Sequence, residues 1–205
     1  MTDEIKFLDP RTTYINGEVI AGSNVIVEGN VILEGDITIG NNVTIRANST
    51  IINSIVESEC EIKHYSFVEN SIISKSATVG PYARLRPGTK IGRGTQIGSF
   101  VEVKNSTIGN LCKINHMAFI GDAHIEDNVI IGAGTITCNH DGKTSQKTVI
   151  CSGAYIGSNV SLIAPLSVGE NAFIGAGSTV TDDAPSEKLT IARSKQISIE
   201  RKKDK

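Results

Sequence analysis

The sequence has no tryptophan, and aromatic residues make up only 4% of its 205 residues. Leucine is also scarce, with 7 against 45 isoleucines and valines together. β-Branched side chains lose χ1 freedom in helices and suit strands, so a helical protein is disfavoured. No apolar run approaches the ~20 residues that cross a bilayer as a helix. Cys60, Cys112, Cys138 and Cys151 form no CxxC pair, and none stands near a second soft ligand at zinc spacing. Reduced, cytosolic thiols are the expectation. His64, His116, His124 and His140 show no five-residue spacing, so no metal site is expected. The net charge of −2 gives no general attraction to nucleic acid or acidic membranes. The first residues, Met1 to Lys6, lack the basic and apolar regions of a signal peptide, which predicts a cytoplasmic protein.

What is present is a period of six. Aliphatic or small residues recur at Ile15, Ala21, Val27, Leu33, Ile39, Ile45 and Ile51. The step shortens to five before Val56, Ile73, Ile108 and Ile125, and the series ends at Val180 after one interruption. Glycine often follows the mark, as at Gly40, Gly92, Gly132 and Gly175. This is the hexapeptide signature of a parallel β-helix. Three hexads close a coil, which predicts an all-β fold of about nine coils, roughly 45 Å long at ~4.8 Å per coil. Glycine and asparagine supply the turn geometry that other residues resist. Residues 1–14 form a polar N-terminal lead-in and 15–184 the β-helix, with an inserted loop at 138–149. Residues 185–205 lose the hexad, end in a basic cluster and read as a mobile or partner-docking arm.

The hexad register places residues in space. Arg86 and Lys104 are 18 apart at the second hexad position, so they stack on one face. Directly stacked like charges are unfavourable. An anion clamp, most simply for a phosphate, would relieve them. His116 stands at the third position of its hexad. Counting the interrupted stretch as one hexad, Ala133, Ser158 and Ala176 continue its column. Small side chains there let a ligand approach backbone groups near a potential base. The interruption spends 13 residues, Thr137 to Val149, where six would serve. Such excursions tend to carry function. By the same count Asn139 projects from the face of Arg86 and Lys104.

Three stretches carry a resemblance: Gly80-Pro81-Tyr82-Ala83-Arg84-Leu85-Arg86-Pro87-Gly88, Phe100-Val101-Glu102-Val103-Lys104 and Ile131-Gly132-Ala133-Gly134-Thr135-Ile136-Thr137-Cys138-Asn139. With the surrounding hexads they resemble the C-terminal acetyltransferase domain of the GlmU family, nearly end to end. The resemblance implies a left-handed β-helix, a homotrimer with sites between subunits, and N-acetylation of an amino-sugar 1-phosphate by acetyl-CoA. It implies His116 as general base, Glu102 as its orienting carboxylate, and Asn139 beside sugar and acetyl group. Arg86 and Lys104 match the phosphate-holding residues. Ala133, Ser158, Ala176 and Arg193 match coenzyme contacts. It also implies that the uridylyltransferase activity of the full-length family lies outside this sequence.

Four acceptor-side positions depart from the family. Phe119 and His140 stand where tyrosine is usual, Ile130 where asparagine is, and Ser145 where lysine is. Lys143 and Lys147 flank the last gap. Lost polar groups change acceptor preference, because a site built to hydrogen-bond a group discriminates strongly. Glucosamine 1-phosphate is the first expected acceptor. The alternatives are another amino sugar of surface-glycan synthesis, or a non-catalytic trimeric module.

Overall fold

The computed structural model describes residues 5–200. The basic cluster at 201–205, and the reading of it as part of a docking arm, lie outside them. Among the described residues there is no helix, and short strands stack in parallel into three sheets. The first sheet runs from Lys6–Phe7 to Leu189–Thr190, the second from Tyr14–Asn16 to Thr179–Val180 and the third from Val19–Ala21 to Leu166–Val168. The chain visits them in turn, one coil after another. This is the left-handed parallel β-helix of hexapeptide repeats.

About ten coils form, against the nine expected. Pairing continues past both ends of the hexad series: Lys6–Phe7 pairs with Ile26–Val27, and Leu189–Thr190 with Phe173–Ile174. Neither end strand has a fully buried side chain, so neither needs the aliphatic mark. Backbone hydrogen bonds close those coils without a sequence signature. The expected boundaries of 15 and 184 therefore fall inside the ladder, and an irregular arm begins only after Thr190.

From Val27 to Val180 every six-residue mark is buried. Their stacked aliphatic chains form one continuous core along the axis. All four five-residue steps fall at the same corner, between the second and third sheets. There Ser54 Oγ accepts the Ser71 N–H at 3.1 Å, and Ser106 Oγ accepts the Ala123 N–H at 2.9 Å. The buried hydroxyls satisfy backbone donors at the tightened corner. The corner between the first and second sheets differs. Tyr65, Tyr82, Phe100 and Met117 occupy it with φ of 59°, 56°, 58° and 44°. The sequence pointed to glycine or asparagine for such turns, and bulky residues resist this conformation. The rings of Tyr65, Tyr82 and Phe100 stack at 4.9 and 5.1 Å, exposed, beside His116.

Burial at the marks makes a prediction. Ile114→Ala is expected to destabilise the protein by about 3 kcal/mol through the cavity it leaves. Ile20→Ala, on an exposed outer face, should cost under about 1 kcal/mol. Denaturant midpoints would show the contrast, and equal losses would contradict the placement of the core.

Candidate functional site

The first corner carries the base and the small residues. His116 ends the strand Lys113–His116 and lies opposite Ser99 in the preceding coil. The pairings of Ile114, Ile131, Ile156 and Ile174 place Ala133, Ser158 and Ala176 in line beyond it. The column anticipated from the hexad count is thus present, across the insertion. Beside it, Gly134 N–H donates to the His116 carbonyl at 3.3 Å and Gly177 N–H to the Ser158 carbonyl at 2.8 Å. Arg193 stands at the end of the row, its Cδ 3.7 Å from where a Cβ on Gly177 would sit. On the other side of His116 a cleft of about 410 Å³ runs past Ser99, Gly98 and Gly80 to Lys63.

The outer face of the second sheet carries the charged groups. Leu85 pairs with Val103, so Arg86 stacks on Lys104 as expected. Each, however, already has a carboxylate partner. Arg86 Nη1 lies 3.0 Å from Glu102 Oε1, and Lys104 Nζ lies 3.6 Å from Asp122 Oδ2. The like charges are therefore relieved without a bound anion, so the stack by itself is no argument for one. Glu102 turns to Arg86, and no hydrogen bond joins it to His116 among the described residues. Phe119 lies between Glu102 and Ile136, its ring over Gly121, where a Cβ would come within 2.7 Å of it.

Cys138 continues the line of Lys104 and Gly121. Asn139 falls one residue later, at the second corner, and is 7% exposed. This corrects its expected place on the face of Arg86 and Lys104. It is two residues past the mark Thr137, whereas Arg86 and Lys104 are one past Leu85 and Val103. Its amide donates instead to Asp122. Asp122 also accepts the Asn105 amide at 2.6 Å, and Ser145 lines the same cleft. Burial by itself would raise the Asp122 pKa. These hydrogen bonds and the Lys104 charge outweigh it and hold the carboxyl below its ordinary value. The sequence reading missed Asp122. Asn105, Asp122 and Asn139 stand 17 apart, a spacing visible once the short steps are assigned to one corner.

The insertion folds as a hairpin, with an antiparallel bridge between His140 and Ser145. His140 Nδ1 accepts the Gly142 N–H at 3.0 Å, inside the hairpin. A cleft of about 470 Å³ opens between hairpin and coils, lined by Asp122, His124, Ser145 and Lys147 among others. Lys147 borders it and Lys143 does not. Ile130 lies elsewhere, on the outer face of the first sheet between Lys113 and Tyr155. One copy of the chain does not bring it onto the face of Arg86 and Lys104.

Comparison with known proteins fits this geometry. Residues 15–89 match the family described as the GMPPB C-terminal domain, and residues 147–182 match the bacterial transferase hexapeptide (six repeats). Bifunctional protein GlmU of Carboxydothermus hydrogenoformans is 46% identical over 200 residues, which are 98% of this chain and 45% of that protein. Over nearly its whole length the chain aligns with the C-terminal half of these GlmU proteins. It spans just under half the length of the curated GlmU proteins it matches. A UDP-N-acetylglucosamine acyltransferase from Francisella novicida shares the fold at a TM-score of 0.53 and 18% identity, over 92% of this chain and 67% of that one. So does a mutant perosamine N-acetyltransferase from Caulobacter crescentus, solved with CoA and GDP-perosamine, at a TM-score of 0.52 and 23% identity, over 58% of this chain and 54% of that one.

The hairpin has a pH dependence of its own. Asp141 is held at about 2, because the Thr144 and Lys143 N–H groups and the Thr144 hydroxyl donate to its carboxylate. Its folded value lies below the ordinary 3.8, so this stabilisation is present above pH 4 or so and fades as pH falls toward about 2. Exchange protection of the Lys143 and Thr144 amides should drop in that window. A flat profile down to pH 2 would contradict it.

Proposed function

We propose that the chain is an acetyl-CoA-dependent N-acetyltransferase for an amino-sugar phosphate, with glucosamine 1-phosphate as first acceptor. The observation that carries this reading is the straight row of His116, Ala133, Ser158 and Ala176, closed by Arg193. The row offers a base at one end of a track where a coenzyme can lie against the backbone. The matched GlmU proteins support the acceptor.

In the reaction the sugar amine attacks the thioester carbonyl carbon, forming the C–N bond. The His116 imidazole takes the proton that the nitrogen loses. The carbonyl oxygen becomes an oxyanion, which N–H groups near the corner would stabilise. The C–S bond then breaks, and the CoA sulfur leaves and takes up a proton. Arg86 and Lys104 hold the phosphate, while Asn139 works through Asp122 from behind that clamp. Glu102 serves first as the partner of Arg86.

A homotrimer completes the site in this reading. The acceptor-side residues lie on two faces of the prism, Ile130 on the first and Lys104 on the second. A second copy would bring the first face of one chain against the second face of another. The exposed ladder of Tyr82, Phe100 and Met117 beside His116 offers apolar surface for such a contact. The four unpaired cysteines suit a cytoplasmic setting.

Two measurements test the proposal. CoA-thiol release with acetyl-CoA and glucosamine 1-phosphate should fall at least about 100-fold in His116→Ala. Equal release by that variant removes the base assignment. Light scattering should give three times the chain mass of 21.8 kDa. Phe100→Glu should lower it, and a monomeric parent protein would rule out the shared site. One observation favours a different acceptor. Ser145 lines the cleft beside Asp122 where the family presents a cation, so a panel of amino sugars should include neutral ones.

A further inference from the structure

The two cations of the clamp are not equivalent. Arg86 and Glu102 are similarly exposed, at 36% and 34% of their side chains. Lys104 is 34% exposed, but its partner Asp122 is only 12% exposed. The ammonium stands in front and the carboxylate behind. Asp122 is also pinned, since the Asn105 amide donates to one of its oxygens and the Asn139 amide to the other. It cannot swing away when an anion approaches Lys104. The cluster of Arg86, Lys104, Glu102 and Asp122 carries no net charge, so a free anion meets two cations and two carboxylates.

We propose that Asp122 is a specificity-determining residue for the acceptor, neutralising and positioning Lys104 so that a phosphate binds well only when a sugar carries it. The inference rests on the acceptor reading above. A fixed negative charge behind the clamp opposes an anion that closes directly on Lys104, as bare phosphate is free to do. A sugar phosphate offsets that opposition with contacts along the second face, and inorganic phosphate has none to offer. Selectivity achieved by a repulsive element is a general device. The carboxylate also sets the direction of the ammonium, which matters for turnover more than for capture.

Asp122→Asn separates these effects. Asp122 has φ 50°, a conformation asparagine adopts readily, so the variant should fold. Inorganic phosphate should bind it about five-fold more tightly than the parent protein, the order expected for one partly exposed charge pair. Calorimetry reads this directly. With glucosamine 1-phosphate, kcat should fall about ten-fold, the size of a modest misplacement, while KM for acetyl-CoA stays unchanged. In Asp122→Asn combined with Lys104→Met the gain in phosphate affinity should vanish. A merely structural aspartate would lower the melting temperature without tightening phosphate. Unchanged or weaker phosphate binding in Asp122→Asn overturns the proposal, as does a gain that survives the loss of Lys104. No turnover of glucosamine 1-phosphate by the parent protein would overturn the acceptor reading and this proposal with it, whereas turnover without tightened phosphate binding in Asp122→Asn overturns this proposal alone.

Discussion

Everything in this protein depends on coil closure in parallel register. Each strand finds its hydrogen-bond partners one coil away, so every coil must return to the same three edges. The buried aliphatic row from Val27 to Val180 enforces that return, because a slipped coil would turn its marks outward. The shortened steps obey the same rule. They fall on one corner, where serine hydroxyls take up backbone donors, and the other two corners keep their spacing. Register is therefore the coordinate system for function as well as for stability.

That coordinate system divides the chemistry. One edge offers a base and a track of small residues, from His116 to Ala176. The adjoining face offers two cations, each tied to a carboxylate. The third element, the hairpin at the opposite corner, shares a cleft with Asp122. None of these parts is held by a loop alone; all are stacked on neighbouring coils. A rigid scaffold of this kind positions side chains to within small tolerances, as a transfer reaction needs. The division also leaves Ile130 on a separate face, away from Arg86 and Lys104.

The exposed corner ladder belongs to the same account. Tyr82, Phe100 and Met117 hold a backbone conformation that glycine or asparagine would adopt at less cost. Their rings and thioether stay in solvent in the isolated chain. Strain kept at a conspicuous surface beside a candidate base is the mark of a contact still to be made.

Much of the fold was legible because its period is short and its core is linear. The hexad marks named the buried residues one by one, and the column through His116 survived even the insertion. The resemblance in three motifs named most of the candidate site. The marks alone put every five-residue step at one corner, yet which groups meet there depends on stacked side chains, so the place of Asn139 beside Asp122 went unseen. Nor could the sequence show that Arg86 and Lys104 already have partners, because Glu102 and Asp122 reach them across coils, 16 and 18 residues away. The pattern of side chains determined the repeat, since apolar burial needs only alternation and period. Charge pairing and corner geometry were decided by the tertiary structure, since they depend on which coil lies beside which.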